Sequence, residues 1–323
     1  METVELRPLH TTDFPALADL ILRSYAHDGV PQTTEVDELA EELDDDSVVL
    51  ATDTRAAEID GELAGYAYTF HLPSEVREER CYIFGEVDPA FRRRGVGTAL
   101  MQWALPRAAA QLRSTDTELP RFIRTDRYDY ISGAHVLFAQ MGMRPVRYME
   151  ELLRPLAELP SRTVPTGIRI VPWPSDRDEE IRQAKNIAFS DHWGSTPTAA
   201  QHWAHSVRGY GARPDLSFVA LDEHDRVVAH CLNKRYPSDD DITGRSDGWI
   251  DNLGTLPEWR GKGIAAALVT ESLHAFAGAG FTHASIGVDS ENPSGAAALY
   301  RRLGFDLQQR SITHEIALPN TRA

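Results

Sequence analysis

The sequence predicts an α/β protein built as two tandem units, each a mixed β-sheet flanked by helices. Three observations lead there. Val87–Met101 (VDPAFRRRGVGTALM) and Thr255–Val269 (TLPEWRGKGIAAALV) align without gaps at an offset of 168 residues. His135–Met143 (HVLFAQMGM) and Ala297–Phe305 (AALYRRLGF) align at an offset of 162. Within each copy, strand-like runs alternate with helix-like ones, and that alternation builds a mixed sheet with helices on both faces. A unit of about 150 residues used twice accounts for the chain length.

The elements follow in order. In the first copy TVELRPL reads as a strand, Thr12–Arg23 and Thr34–Leu43 as helices, then VVLATD, ELAGYAYTF and CYIFGEV as strands, with a helix from Arg94. An irregular stretch around Ser114–Pro120 absorbs the difference between the two offsets. Arg154–Gly167, with three prolines and no apolar period, reads as a linker. The expected domains are therefore residues 1–155 and 167–323, joined by 156–166. In the second copy GIRIVPW is a strand, and Asp178–Ser190 and Pro197–Arg208 carry helical apolar spacing. LSFVALD and RVVAHCLNKRY, split by the acidic turn EHD, read as a hairpin. GWIDNLGTL is a strand stopped by Pro257, and Lys262–Gly278 is a helix. THASIGVD is a strand, Ser294–Leu303 a helix ended by Gly304, and RSITHEIAL the last strand.

Composition excludes several classes. The 323 residues carry 49 acidic and 33 basic side chains, a net charge of −16, and are 42% apolar. That apolar content argues against disorder. No apolar run reaches the length of a membrane span, and METVELRPLHTTDF is too acidic and alternating for a secretory signal. A net charge of −16 disfavours nucleic acid as a partner. Cys81 and Cys231 lie far apart in apolar runs and read as buried reduced thiols of a cytoplasmic protein. Residues 1–160 carry 29 acids and 16 bases, and residues 161–323 carry 20 and 17. The cations are 30 Arg and only three Lys, Lys185, Lys234 and Lys262, read here as compositional bias.

Arg92-x-x-Gly95-x-Gly97 and Arg260-x-x-Gly263-x-Ala265 each follow a strand and open a helix. The first N–H groups of a helix lack internal partners and carry the positive end of its dipole. Glycine lets a bulky anion approach that backbone, so the pattern suits a pyrophosphate. No Gly-Lys-Ser/Thr follows, so it is not a Walker loop, and a third glycine for a dinucleotide fingerprint is missing.

VDPAFRRRGVGTAL and LPEWRGKGIAAAL resemble the acyl-CoA pyrophosphate motif of the GCN5-related N-acetyltransferases (GNATs). ENPSGAAALYRRLGF, Glu291–Phe305, resembles the same family's C-terminal motif. The resemblance covers nearly the whole chain as two units, and it implies sheets whose two central parallel strands splay apart. It also implies acetyl-CoA as the acyl donor. Backbone groups of Leu253, Gly254 and Thr255 would meet the acetyl carbonyl and pantetheine arm. Amides of Arg260, Gly261, Lys262, Gly263, Ile264, Ala265 and Ala266 would hold the pyrophosphate, with Arg260 and Lys262 adding charge. Asn292 would contact pantetheine, and Tyr300 would protonate the departing thiolate. The tetrahedral oxyanion needs a backbone N–H donor.

The acceptor amine needs a base, and Asp251 is the first candidate. Its neighbour Asn252 points to the other face of the strand. His192 and Trp193, between the first two helices of the second copy, are candidate substrate contacts. His202 and His205 beside Trp203 have no second ligand pair, so no metal is proposed. The first copy keeps Arg92, Arg93, Arg94, Gly95, Val96 and Gly97 for CoA. It has Phe138 where the second has Tyr300, and Tyr130 where the second has Asn292. Glu86 is its candidate base should it be active, and the expectation is a degenerate unit. The function read from the resemblance is acetylation of a small-molecule amine, for which the negative charge of the chain is compatible with a cation, by a monomer or homodimer that binds neither nucleic acid nor membrane. Mycothiol-synthase-like or antibiotic-modifying acetylation, protein acetylation and a non-enzymatic CoA-binding role stay open beside it.

Overall fold

The computed structural model describes residues 3–43, 48–74, 76–292 and 295–319. In chain order the elements are β1 (Glu5–Arg7), α1 (Phe14–Asp28), α2 (Val36–Leu43), α3 (Leu50–Asp53), β2 (Thr54–Ile59), β3 (Glu62–Leu72), β4 (Glu79–Val87), α4 (Val96–Arg113), β5 (Arg121–Tyr128) and α5 (Ser132–Gln140). They continue with β6 (Arg144–Pro155), β7 (Arg169–Pro172), α6 (Asp178–Ala188), α7 (Ala200–Arg208), β8 (Phe218–Leu221), β9 (Val227–Arg235), α8 (Asp240–Thr243), β10 (Asp247–Thr255), α9 (Ile264–Gly278), β11 (His283–Asp289), α10 (Ala296–Arg302) and β12 (Asp306–Leu318).

The chain forms two compact units, but they are not the two sequence halves. One is Met1–Arg147 with Ser311–Ala323; the other is Tyr148–Arg310. In the first, the strand order is β1-β2-β3-β4-β5-β12, with Ser311–Leu318 antiparallel to Tyr128–Arg121. In the second it is β6-β11-β10-β9-β8-β7, with Met149–Pro155 antiparallel to Asp289–His283. The segment 148–166, drawn by its prolines as a domain end and linker, is thus part of the second unit. Its place is set by the edge of β11 that β6 fills, and an edge leaves no mark in composition.

Two local readings change. VVLATD is not a strand: α3 occupies Leu50–Asp53 and the strand is Thr54–Ile59. Asp53 Oδ2 accepts from the Val49 N–H at 2.9 Å, and Thr54 Oγ1 donates to the Leu50 carbonyl at 2.6 Å. Such side-chain bonds hold one helical turn against a β-prone sequence. The helix before Gly304 is Ala296–Arg302, and Ser294 lies outside the described residues.

In each unit the central parallel pair is short. β4 and β5 pair only from Glu79–Tyr82 to Arg121–Arg124, and β10 and β11 only from Asp247–Ile250 to His283–Ile286. Beyond those residues the strands part. Under the second sheet, α9 buries Leu268, Leu273 and Phe276 against Ile250, Ala284 and Ile286. Each such side chain contributes about 1.5–3 kcal/mol by leaving water. Gly248 makes this contact possible, since a Cβ there would stand 2.5 Å from the Phe276 ring.

Candidate active site

The second unit's strand gap opens into a cavity of about 730 Å³. Asp251, Leu253, Gly254 and Thr255 line it from β10. Arg260, Gly261, Gly263, Ile264, Ala265 and Ala266 line it from the turn and first residues of α9. Asn292, Tyr300, His192 and Trp193 complete the predicted residues brought together there. Lys262 does not line it: the side chain is exposed and its ammonium lies 4.4 Å over the Trp259 ring.

The end of α9 has the features an anion needs. Gly261 and Gly263 take φ of +74° and +84°, in the left-handed region that glycine occupies without steric cost. Gly263 is the N-cap and no side chain caps the helix. A Cβ at Gly261 would meet nothing within 4 Å, so that backbone is open. These residues fit a pyrophosphate.

Arg260 has a different placement from the one the motif suggests. Its Nη1 and Nη2 grip Asp191 Oδ2 and Oδ1 at 2.5 and 3.0 Å, Nη2 also donates to the Ala188 carbonyl at 2.7 Å, and Nε to the Thr255 carbonyl at 3.3 Å. The hydrogen bonds from Arg260 hold the Asp191 carboxyl below its usual range. Arg260 therefore braces the glycine turn against the end of α6. Arg92 does the same in the first unit, with two bonds to Asp28 at 2.6 and 2.8 Å and one to the Val87 carbonyl at 3.2 Å.

A β-bulge separates the two units chemically. Pairing of β10 with β9 runs Ile250↔Asn233 and then Asn252↔Leu232, leaving Asp251 as the extra residue. A bulge re-aims its side chain, and Asp251 faces the cavity with its carboxylate 3.4 Å from Lys234 Nζ. Asn252 points the other way, and its Oδ1 accepts from His230 Nε2 at 2.7 Å. His230 is fully buried, and burial pushes its pKa down to about 4, so the ring stays neutral. His230 packs over Gly254, where a Cβ would be 2.5 Å from Cε1. Sequence reading missed His230. Only the cross-strand register Gly254↔His230 reveals why this position is a glycine.

Tyr300 is buried, edge-on to Phe305 at 6.1 Å, and burial raises its phenol above the ordinary value. It stays protonated at neutral pH and can give a proton. His192 lies tilted against Phe189, with ring centroids 4.6 Å apart.

The first unit's cavity is about 550 Å³. At the 168 offset Ile83 replaces Asp251, and β3 pairs with β4 without a bulge from Gly65↔Val87 to Leu72↔Arg80. Arg127 reaches from β5 to β4, donating through Nη2 to the Gly85 carbonyl and to Glu86 Oε1. Gly85 matches Leu253 at the 168 offset, so this guanidinium bridges the two parting strands of the first unit. Glu86 is also bonded by Ser24 Oγ at 2.9 Å, which leaves it poorly placed as a base. Arg93 takes φ of +64° where the second copy has Gly261. Gly95 keeps the left-handed N-cap of α4, while a Cβ on Gly97 would crowd Leu137 at 3.0 Å. Arg94 lies 4.9 Å over the Phe91 ring, and Val96 is buried. Phe138 is buried where the second unit has Tyr300. Among the described residues there is no group of three or more metal-binding side chains, and no helix is long and apolar enough to cross a membrane.

Comparison with known proteins agrees with this geometry. Residues 8–123 and 179–305 each match the Acetyltransferase (GNAT) family. A mycothiol acetyltransferase of Thermomonospora curvata is 30% identical over 269 residues, covering 81% of each chain. One from Nocardia farcinica is 29% identical over 263 residues, covering 77% of this chain and 78% of its own. A GCN5-related N-acetyltransferase structure from Sphaerobacter thermophilus superposes with a TM-score of 0.75 at 26% identity, covering 97% of this chain and 95% of its own. A tandem GNAT protein from the clavulanic acid pathway shares the fold, with a TM-score of 0.72 at 17% identity over 99% of this chain and all of its own.

Proposed function

Because the chain belongs to the acetyltransferase (GNAT) family and is an N-acetyltransferase, we propose that its second unit transfers the acetyl group of acetyl-CoA to a small-molecule amine. The observation that carries this is the Asp251 bulge facing the same cavity as Tyr300, a pairing the first unit lacks. Acetyl-CoA supplies an activated acyl thioester. The uncapped α9 N-terminus and its two left-handed glycines suit the diphosphate, and the open edge of β10 beyond Ile250 suits the pantetheine arm. Alternate backbone groups of an unpaired strand edge point into the gap, which offers N–H donors to an oxyanion. Asp251 binds the acceptor's ammonium and takes its proton. Tyr300 gives its proton to the leaving sulfur. Asn292 lies beside the pantetheine path, and His192 and Trp193 wall the acceptor side.

The relatives' name makes mycothiol lacking its acetyl group the first acceptor to try, with glucosamine and spermidine as unrelated amines. Product formation is followed by mass spectrometry. Tyr300→Phe is expected to lower kcat by about 100-fold or more, the usual worth of a general acid, with the acetyl-CoA KM little changed. Phe138→Tyr is expected to leave the rate unaltered. Retention of full kcat by Tyr300→Phe, with loss on changing Gly95 and Gly97, would move the reaction to the first unit.

A further inference from the structure

Of 33 cationic side chains only three are lysines, and all three fall in the second unit. Each approaches a residue of its cavity. Lys185 Nζ lies 5.6 Å over Phe189, Lys262 Nζ 4.4 Å over Trp259, and Lys234 Nζ 3.4 Å from Asp251 Oδ1. Several carboxylates elsewhere in this chain are gripped by arginine with two nitrogens on two oxygens. Arg260 holds Asp191 at 2.5 and 3.0 Å, Arg213 holds Asp215 at 2.8 and 2.7 Å, and Arg7 holds Asp13 at 2.7 and 3.0 Å. A guanidinium fork takes both oxygens of a carboxylate, whereas an ammonium is a compact charge that approaches one. Asp251 is met by one ammonium, whose nearest approach is to Oδ1, and the carboxylate remains about 33% exposed.

We propose that Lys234 is a positioning residue that holds Asp251 by Oδ1 so that Oδ2 stays open to the acceptor, and that arginine cannot replace it. The acceptor arrives as an ammonium. One N–H bond breaks, the proton goes to Oδ2, and the electron pair left on nitrogen is the nucleophile. An arginine at 234 would close over both oxygens and leave none for the amine. The inference rests on Asp251 being the acceptor's carboxylate, as proposed above.

The experiment compares Lys234→Arg, Lys234→Met and Asp251→Asn in the full chain, with desacetylated mycothiol, glucosamine and spermidine as probes. Lys234→Arg is expected to raise the acceptor KM and lower kcat at least as much as Lys234→Met, by about 10-fold or more in kcat/KM, a loss of transition-state binding rather than of fold. The acetyl-CoA KM and the melting temperature of Lys234→Arg should match the wild type. A merely structural charge predicts the reverse order, with arginine rescuing what methionine loses, and that order overturns the proposal. An inactive Asp251→Asn beside a fully active Lys234→Arg overturns it alone. A fully active Asp251→Asn, or a wild type that acetylates none of the three amines, overturns the reading beneath it.

Discussion

Gly254→Ala is the sharpest structural test of the cavity wall. An added Cβ would stand 2.5 Å from His230 Cε1, 3.0 Å from Phe189 Cε2 and 3.1 Å from Ala188 Cβ. Ordinary contact begins near 3.4 Å, so the imidazole must retreat by roughly 1 Å. It has nowhere to go at low cost. Its Nε2 is bonded to Asn252 at 2.7 Å, and Trp203 and Phe189 lie against it with centroids 6.3 and 6.4 Å away. Overpacking costs about 1–3 kcal/mol, and stretching a buried hydrogen bond adds about 1 kcal/mol. A net loss of about 2–4 kcal/mol corresponds to a fall of roughly 4–16 °C in melting temperature for a unit of this size. The same displacement moves Asn252, the residue after the bulge, so acceptor kcat/KM should fall as well. The assay is calorimetry plus steady-state rates on Gly254→Ala, His230→Ala and the double variant. With the ring gone the tightest contact is removed and only those to Phe189 and Ala188 remain, so Gly254→Ala should cost less in the His230→Ala background. Additive losses in the double variant would refute the steric account, as would a Gly254→Ala protein that melts like the wild type.

Burial holds His230 at about 4, below its ordinary 6.5. The unfolded chain therefore binds one more proton between those values, and stability is full above about 6.5 and falls as pH drops toward 4. His230→Gln should flatten the slope of unfolding free energy in that window by up to one proton, about 1.4 kcal/mol per pH unit; an unchanged slope contradicts a neutral buried ring. With Arg127 across the first unit's gap, acetyl-CoA should bind once per chain in calorimetric titration, and Gly263→Val should remove that site. Two equivalent sites would show that Arg127 does not obstruct the first unit.

Much of this was legible because it is local. The 168 and 162 offsets carry the repeat, the glycine turn carries its own left-handed geometry, and Phe138 against Tyr300 marks the inequality of the copies. What was illegible depends on pairing. No sequence pattern tells which strand fills the edge of β11 or β5. The Asp251 bulge exists only as a mismatch between β10 and β9. The role of Arg260 depends on Asp191, 69 residues away. Nothing in the sequence marks Arg127, which β5 brings beside Gly85. VVLATD failed for the opposite reason, since two short side-chain bonds outweighed its β-branched residues.

The last strand has a temporal consequence. Ser311–Leu318 completes the sheet of the first unit, although it is synthesised after the second. The N-terminal copy must wait on the ribosome with the free edge of β5 exposed, and an exposed edge invites pairing with any other chain. Termination near residue 155 would leave that edge unfilled for good. The two copies are alike in sequence, yet the first depends for its sheet edge on a strand that the chain supplies last.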